Sequence, residues 1–322
     1  MFPTRDKLTI CFAHAAYQMK ARFDARNTGI NCFQVRSYDE FVQRVGEADV
    51  VSVSGMWKND IIPHATKLQF VQSISSGMDQ YSRELLGAKG IRLASAAGVN
   101  ARAVAEHALA LILAVFRRLP EARDNQHKKV WRGMLGDLTE REDELGGKTL
   151  LIVGMGRIGS HLAKLAKAFD MKVIGIRRDP TAGANGADEI HGMGDLVKLV
   201  PQADIVALTC ALTPETTGLM SAAAFAAMKP SSVFVNVARG KVADEAALIA
   251  TMEGNKIWAA ALDVTAEEPL PAASPLWTMP NVFITPHTAG ETRAYEDNVI
   301  DILIENLDRL WRGDATLRNQ VL

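Results

Sequence analysis

The chain has 322 residues, of which 48% are apolar and 23% charged, and its formal net charge is -1. That is the composition of an ordinary globular protein, long enough for about two domains of ~100–200 residues, with cores that need no disulfide or structural metal. The near balance of charges leaves no single-sign field to attract nucleic acid or an acidic membrane surface. The cysteines, Cys11, Cys32 and Cys210, are few, odd in number and scattered, which points to a reducing cytoplasm and offers no metal site. The opening Met1-Phe2-Pro3-Thr4-Arg5-Asp6 lacks a long apolar signal core. No run reaches the ~18 apolar residues of a membrane span. A cytoplasmic location is therefore expected, with neither nucleic acid nor membrane as partner.

In chain order, short apolar runs at 8–12, 30–35, 50–54, 70–73 and 91–94 alternate with helix-compatible or turn segments, which predicts parallel strands with crossovers. Residues 101–118 predict one long helix, rich in Ala and Leu and apolar nearly all round, a pattern found between domains or in subunit interfaces. Arg117 and Arg118 suit its last turn, and Pro120 is expected to stop it. Strand-like runs then recur at 149–153, 172–176, 205–209, 233–237, 258–264 and 282–285, with a loop over 181–188. Their alternation with helical segments predicts a doubly wound parallel sheet. From Glu291 to Arg312 apolar residues recur at helical spacing, and Gly313 is the expected C-cap.

Gly154-Met155-Gly156-Arg157-Ile158-Gly159 follows the apolar run Leu150-Leu151-Ile152-Val153 and leads into a helix expected over 160–169. In that setting a GxGxxG is a dinucleotide site. Gly154 permits a tight turn, Gly156 admits a pyrophosphate to the backbone, and Gly159 lets helix and strand pack closely. The following strand ends Ile176-Arg177-Arg178-Asp179-Pro180. An acid at such a strand end holds the ribose hydroxyls of NAD, whereas arginine accommodates a 2′-phosphate. Arg177 and Arg178 therefore favour NADP over NAD, and the competing reading is that Asp179 reaches back to the ribose.

Three later strands each end in a polar residue: Arg239 in Val235-Asn236-Val237-Ala238-Arg239-Gly240, acids in 261–269, and His287 in Ile284-Thr285-Pro286-His287. In a doubly wound sheet these ends share one edge, where ligands bind. The order GxGxxG, NVARG, ALDVTAEEPLP and TPH resembles the D-isomer-specific 2-hydroxyacid dehydrogenase family, nearest to its NADP-dependent glyoxylate/hydroxypyruvate reductase branch. The resemblance extends to Ser75-Ser76-Gly77-Met78-Asp79 and to Val104-Ala105-Glu106-His107-Ala108-Leu109, and is weakest in the first fifty residues.

The resemblance implies two doubly wound parallel-sheet α/β domains. A Rossmann cofactor domain (99–289) would be inserted in a flavodoxin-like substrate domain (1–98 and 290–322). It implies reduction of a small 2-keto acid to a D-2-hydroxy acid by NADPH or NADH, in a homodimer involving the 101–118 helix. Arg239 would hold the substrate's carboxylate and carbonyl, a task for a planar guanidinium. His287 would donate the proton, and Glu268, in preference to Glu267, would pair with the ring and raise its pKa. Backbone N–H groups at Ser76, Gly77 and Met78 would help bind the carboxylate. Arg157, Ile158, Cys210, Val237, Ala238, Asp263, His287 and Gly290 would join the glycines and arginines around the cofactor. Asp263 would lie near the nicotinamide carboxamide, with a turn-forming role as its alternative. Trp57 and Trp131, exposed-looking aromatics near loops, are candidates to line the pocket, and His107 reads as a buried structural histidine. The alternative function is a non-catalytic dinucleotide-sensing scaffold, against which stands the retention of Arg239, Glu268 and His287 together. A phosphoglycerate dehydrogenase is a further alternative, disfavoured by the absence of sequence after Leu322 for a regulatory domain.

Overall fold

Short, mostly apolar runs become parallel strands in both halves of the chain, as seen in a computed structural model that describes residues 2–322. The chain divides into two units, Met1–Asn100 with Thr292–Leu322, and Ala101–Glu291.

The first unit holds a five-stranded parallel sheet of order β2-β1-β3-β4-β5. Its strands are β1 (Thr9–Ala13), β2 (Asn31–Val35), β3 (Val50–Val53), β4 (Phe70–Ser73) and β5 (Arg92–Ala94). β3 and β4 are buried along their whole length, the condition of a parallel strand covered on both faces. Alternation along β1 sends Ile10 and Phe12 to one core and Cys11 and Ala13 to the other. The helix Tyr295–Arg312 supplies Tyr295, Val299, Ile300, Leu303 and Leu307 to the first of these cores. It ends at Gly313 in the left-handed region, as expected, but begins at Tyr295 and not at Glu291. Trp57 departs from expectation. It is 3% exposed, packs against Tyr81 with ring centroids 5.4 Å apart, and donates its indole N–H to Asn59 Oδ1 at 3.1 Å.

The second unit holds a seven-stranded parallel sheet of order β12-β11-β10-β9-β6-β7-β8. The strands are β6 (Thr149–Val153), β7 (Lys172–Ile176), β8 (Glu189–His191), β9 (Ile205–Leu208), β10 (Val233–Asn236), β11 (Ala259–Leu262) and β12 (Val282–Ile284). Leu150 and Ile152 face the core beneath the helices Ala101–Phe116 and Arg157–Lys167, while Leu151 and Val153 face the opposite core. The chain runs from β6 outward to β7 and β8, then returns to β9 on the other side of β6. The glycine motif thus lies where the strand order reverses.

Two expectations need correction in this unit. The long helix stops at Phe116, because Arg118 adopts a left-handed conformation with φ 47. Pro120 does not terminate that helix; it occupies the first turn of a second one, Leu119–Lys128, where its missing N–H costs nothing. β8 is a short, half-buried edge strand that the apolar pattern does not announce. Among the described residues no helix is long and apolar enough to cross a membrane, and no three His, Cys, Asp or Glu side chains gather as for a metal ion.

Candidate active site

The turn after β6 is shaped by two positions that exclude side chains. Gly154 has φ 110, and a Cβ there would lie 2.5 Å from the Cys210 nitrogen. A Cβ on Gly159 would lie 2.2 Å from the Gly154 carbonyl oxygen, so the helix start and the turn are in direct backbone contact. Thr209 at the end of β9 ties the loop down, its Oγ1 donating to the Gly154 oxygen at 2.8 Å. By contrast nothing lies within 4 Å of the Cβ position of Gly156. The helix Arg157–Lys167 begins at Gly156 with no side-chain cap and no acidic residue in its first turn. Open backbone, an uncapped helix start and its positive dipole end together fit a pyrophosphate. Cys210 meets this loop through its backbone, and burial pushes its thiol up to about 11, so it is no nucleophile near neutral pH.

At the end of β7, Arg177 Nη1 donates to the carbonyl oxygens of Ala182 and Gly183, both at 3.1 Å, and so lies along the 181–183 loop. Arg178 is exposed. Asp179 is turned onto its own loop, where Oδ1 accepts from Thr181 N at 2.9 Å and Thr181 Oγ1 at 2.6 Å. The Thr181 hydroxyl and N–H, with the Arg177 charge, hold its carboxyl below the ordinary range.

Because every strand of the sheet is parallel, the ends of β10, β11 and β12 lie along the same edge as the glycine loop. Arg239 follows β10 in a turn braced by buried Asn236. The Asn236 side chain accepts from Ala238 N at 3.0 Å and donates to the Arg239 oxygen at 3.1 Å. Arg239 Nη1 donates to the Ala238 oxygen at 2.7 Å, and the Val237 and Ala238 side chains are buried beneath the turn.

His287 Nδ1 and Glu268 Oε2 are 2.7 Å apart. Glu268 Oε1 accepts from Thr265 N at 3.1 Å, whereas Glu267 offers only its backbone oxygen, to Thr265 Oγ1. Partial burial pushes the Glu268 carboxyl up. The His287 hydrogen bond and charge, the Thr265 N–H and the Arg239 guanidinium outweigh it and hold the group below the ordinary carboxylate value. An ionised Glu268 only accepts, so His287 Nδ1 carries the proton of that bond, and Nε2 is the ring nitrogen left for chemistry.

His287 has φ 56, an uncommon backbone state outside glycine. Asp263, at the end of β11 and 2% exposed, accounts for it. The Asp263 backbone oxygen accepts from His287 N at 2.8 Å, Oδ1 from Thr288 N at 3.0 Å and Oδ2 from Ala289 N at 3.1 Å. The N–H groups of Thr288 and Ala289 thus close on the Asp263 carboxylate, and that of His287 on its backbone carbonyl oxygen. Thr285 Oγ1 adds a bond to Oδ1 at 2.7 Å, and His107 Nε2 lies 2.9 Å from that hydroxyl. His107 is half-buried and hydrogen-bonded, not enclosed in the core as expected. Neither Asn236 nor Thr285 was singled out from the sequence. A polar residue closing an apolar strand was the available signal for both.

In the first unit, Ser76, Gly77 and Met78 follow β4 at the carboxyl edge of its sheet. Their loop is anchored by a hydrogen bond between the Ser54 and Ser75 hydroxyls, by Gln80 Nε2 donating to Ser54 Oγ at 3.3 Å, and by Ser75 N donating to Ser73 Oγ at 3.1 Å.

The family model for the NAD binding domain of D-isomer specific 2-hydroxyacid dehydrogenases matches residues 109–289. The chain belongs to the D-isomer specific 2-hydroxyacid dehydrogenase family. A glyoxylate/hydroxypyruvate reductase B of Pectobacterium atrosepticum is 32% identical over 308 residues, which cover 95% of each chain. A D-3-phosphoglycerate dehydrogenase of Methanocaldococcus jannaschii is 34% identical over 285 residues, 86% of this chain and 52% of that one. The chain spans about half the length of the phosphoglycerate dehydrogenases it matches. Among solved structures, a D-isomer specific 2-hydroxyacid dehydrogenase family protein of Aeromonas salmonicida superposes with a TM-score of 0.84 at 29% identity. That match covers 98% of this chain and 99% of the other. The two parallel-sheet α/β units are those of this family's fold.

Proposed function

We propose that the protein reduces a small 2-keto acid of the glyoxylate/hydroxypyruvate type to the D-2-hydroxy acid, with NADPH preferred to NADH. The observation that carries this reading is the 2.7 Å His287–Glu268 pair on the same sheet edge as Arg239 and the glycine loop. A dinucleotide sensor has no use for a histidine oriented by an ionised carboxylate.

In this reading Gly154, Gly156, Arg157, Ile158 and Gly159 hold the pyrophosphate, and Cys210, Val237, Ala238, Asp263 and Gly290 belong to the surroundings of the rest of the dinucleotide. The nicotinamide, when bound, supplies the hydride. Arg239 binds the substrate's carboxylate and carbonyl through its planar fork. His287 delivers a proton from Nε2 to the carbonyl oxygen in reduction and takes it back in oxidation. Glu268 fixes the ring through Nδ1, so that Nε2 is the nitrogen presented. The 101–118 segment and the exposed residues that follow it would form a homodimer contact.

The cofactor preference rests on Arg177 and Arg178, and on Asp179 being held by Thr181. A 2′-phosphate offers several acceptors, and charge-assisted bonds are roughly twice as strong as neutral ones. The test measures kcat/KM with NADPH and NADH against glyoxylate, hydroxypyruvate, pyruvate and phenylpyruvate, with 3-phosphoglycerate in the oxidative direction because of the relatives named for it. Turnover of glyoxylate or hydroxypyruvate with NADPH ahead of NADH is expected, and Arg177→Asp should invert the cofactor order. Wild-type preference for NADH would overturn the assignment of the two arginines, and absence of turnover with every acid would overturn the enzyme.

A further inference from the structure

We propose that His107 is a positioning residue: through Thr285 and Asp263 it holds the 287–289 backbone that presents His287. The inference rests on the reading of His287 as the proton donor, and it concerns a residue on a helix that reading does not use.

The direction of each hydrogen bond can be deduced. Asp263 is buried and takes only donors: the N–H groups of Thr288 and Ala289, and the Thr285 hydroxyl at 2.7 Å. Thr285 therefore spends its one proton on Asp263, and its oxygen must accept from His107 at 2.9 Å. His107 is thereby fixed with a proton on Nε2. That nitrogen also lies 3.5 Å from Asp263 Oδ1, so any positive charge on the ring would fall beside a buried carboxylate. The chain of contacts runs from the helix Ala101–Phe116, through the end of β12, to the end of β11, and back into the loop carrying His287.

The physical need for such a chain comes from the loop it stabilises. A left-handed histidine at φ 56 is maintained only where its surroundings over-determine it. Asp263 provides that constraint: its backbone carbonyl oxygen accepts from His287 N, and its two carboxylate oxygens accept from Thr288 N and Ala289 N. The Thr285 hydroxyl closes the remaining direction on Oδ1, and His107 fixes the rotamer of that hydroxyl. His287 Nε2 is then presented at one angle, and productive proton transfer requires such precision.

The test has two arms. In the cofactor-free protein, ¹⁵N NMR of histidine-labelled samples reads the His107 tautomer directly. Protonated Nε2 is expected, and a neutral ring protonated only on Nδ1 overturns the relay. In steady-state kinetics with NADPH and the best keto acid, Thr285→Val should lower kcat about tenfold, with the keto-acid KM within about threefold of wild type. Thr285→Ser keeps the hydroxyl and should restore kcat to within about threefold. His107→Leu should behave as Thr285→Val, and His107→Gln, which can still donate, as Thr285→Ser. Wild-type kcat in Thr285→Val overturns the proposal. So does a loss that Thr285→Ser fails to rescue, or one that accompanies a lower melting temperature equally in all four variants. If the wild type turns over no 2-keto acid, the proposed function fails while the tautomer arm still judges the hydrogen-bond chain.

Discussion

The chemistry of the candidate site depends on which nitrogen of one ring is left free, and that choice is made by a single carboxylate. Glu268 is held below the ordinary glutamate value near 4.5, against the upward push of its partial burial. A group whose pKa is depressed in the folded state stabilises that state above its unfolded pKa, and the contribution fades as pH falls through the folded value. The contribution should therefore be intact from about pH 5 to neutrality and vanish in acid. The measurement is the difference in melting temperature between wild type and Glu268→Gln from pH 3 to 8. A small positive difference is expected above pH 5, small because the side chains of the pair remain 38% and 43% exposed and solvent screens them. Below about pH 4 it should shrink toward zero. A difference that instead grows in acid would mean that Glu268 binds its partner as the neutral acid, and the orientation assigned to His287 would fail with it.

At the scale of elements, the fold of the first unit depends on a buried amide pair that periodicity cannot reveal. Asn306, fully buried within the C-terminal helix, donates to Gln72 Oε1 of β4 at 2.9 Å and to the Arg318 oxygen at 3.2 Å. It also accepts from Arg318 N at 2.7 Å. Asn306→Ala would leave the buried Gln72 amide oxygen unpaired and remove the partner of two part-buried backbone groups of Arg318. A loss of roughly 2–4 kcal/mol in urea unfolding is expected, against less than about 0.5 kcal/mol for an exposed control such as Lys198→Ala. An Asn306 variant as stable as that control would show that water replaces the network. The strands themselves were legible, because a parallel strand buried on both faces must be apolar along its length. The edge strands β2, β8 and β12 do not meet that condition, and of these β8, Glu189-Ile190-His191, carries no apolar pattern at all. The overrun of the long helix has an equally local cause. Arg117 and Arg118 look like cations suited to a helix end, and nothing in an arginine announces the left-handed turn that Arg118 adopts. Arg239, Glu268 and His287 could be named because each sits in a short motif at a strand end. The partnership of His107 with Thr285 could not, since the two are 178 positions apart and are joined only by the packing of a helix against a sheet.

At the scale of the whole molecule, the distribution of exposed apolar residues is uneven. Of the large hydrophobic side chains that are exposed among the described residues, Leu119, Val130, Trp131, Met134 and Leu138 fall within one stretch of twenty, and Trp131 is 99% exposed. Such clustering marks an association surface more often than chance scatter does. The same stretch borders a depression of about 560 Å³ lined by Arg118, Asn125, Lys129 and Trp131. An exposed ring at the edge of such a depression is an arrangement that two copies can satisfy reciprocally about a two-fold axis. Homodimerisation through this face predicts a mass twice 35.0 kDa in sedimentation equilibrium at micromolar concentration. Trp131→Glu combined with Met134→Glu should shift the species toward monomer, because burying two carboxylates in a dimer interface costs several kcal/mol. Unchanged circular dichroism would show that the monomer is still folded. A wild type that sediments as a monomer at 50 μM protein would remove the dimer, and a double variant that stays dimeric would place the contact on another face.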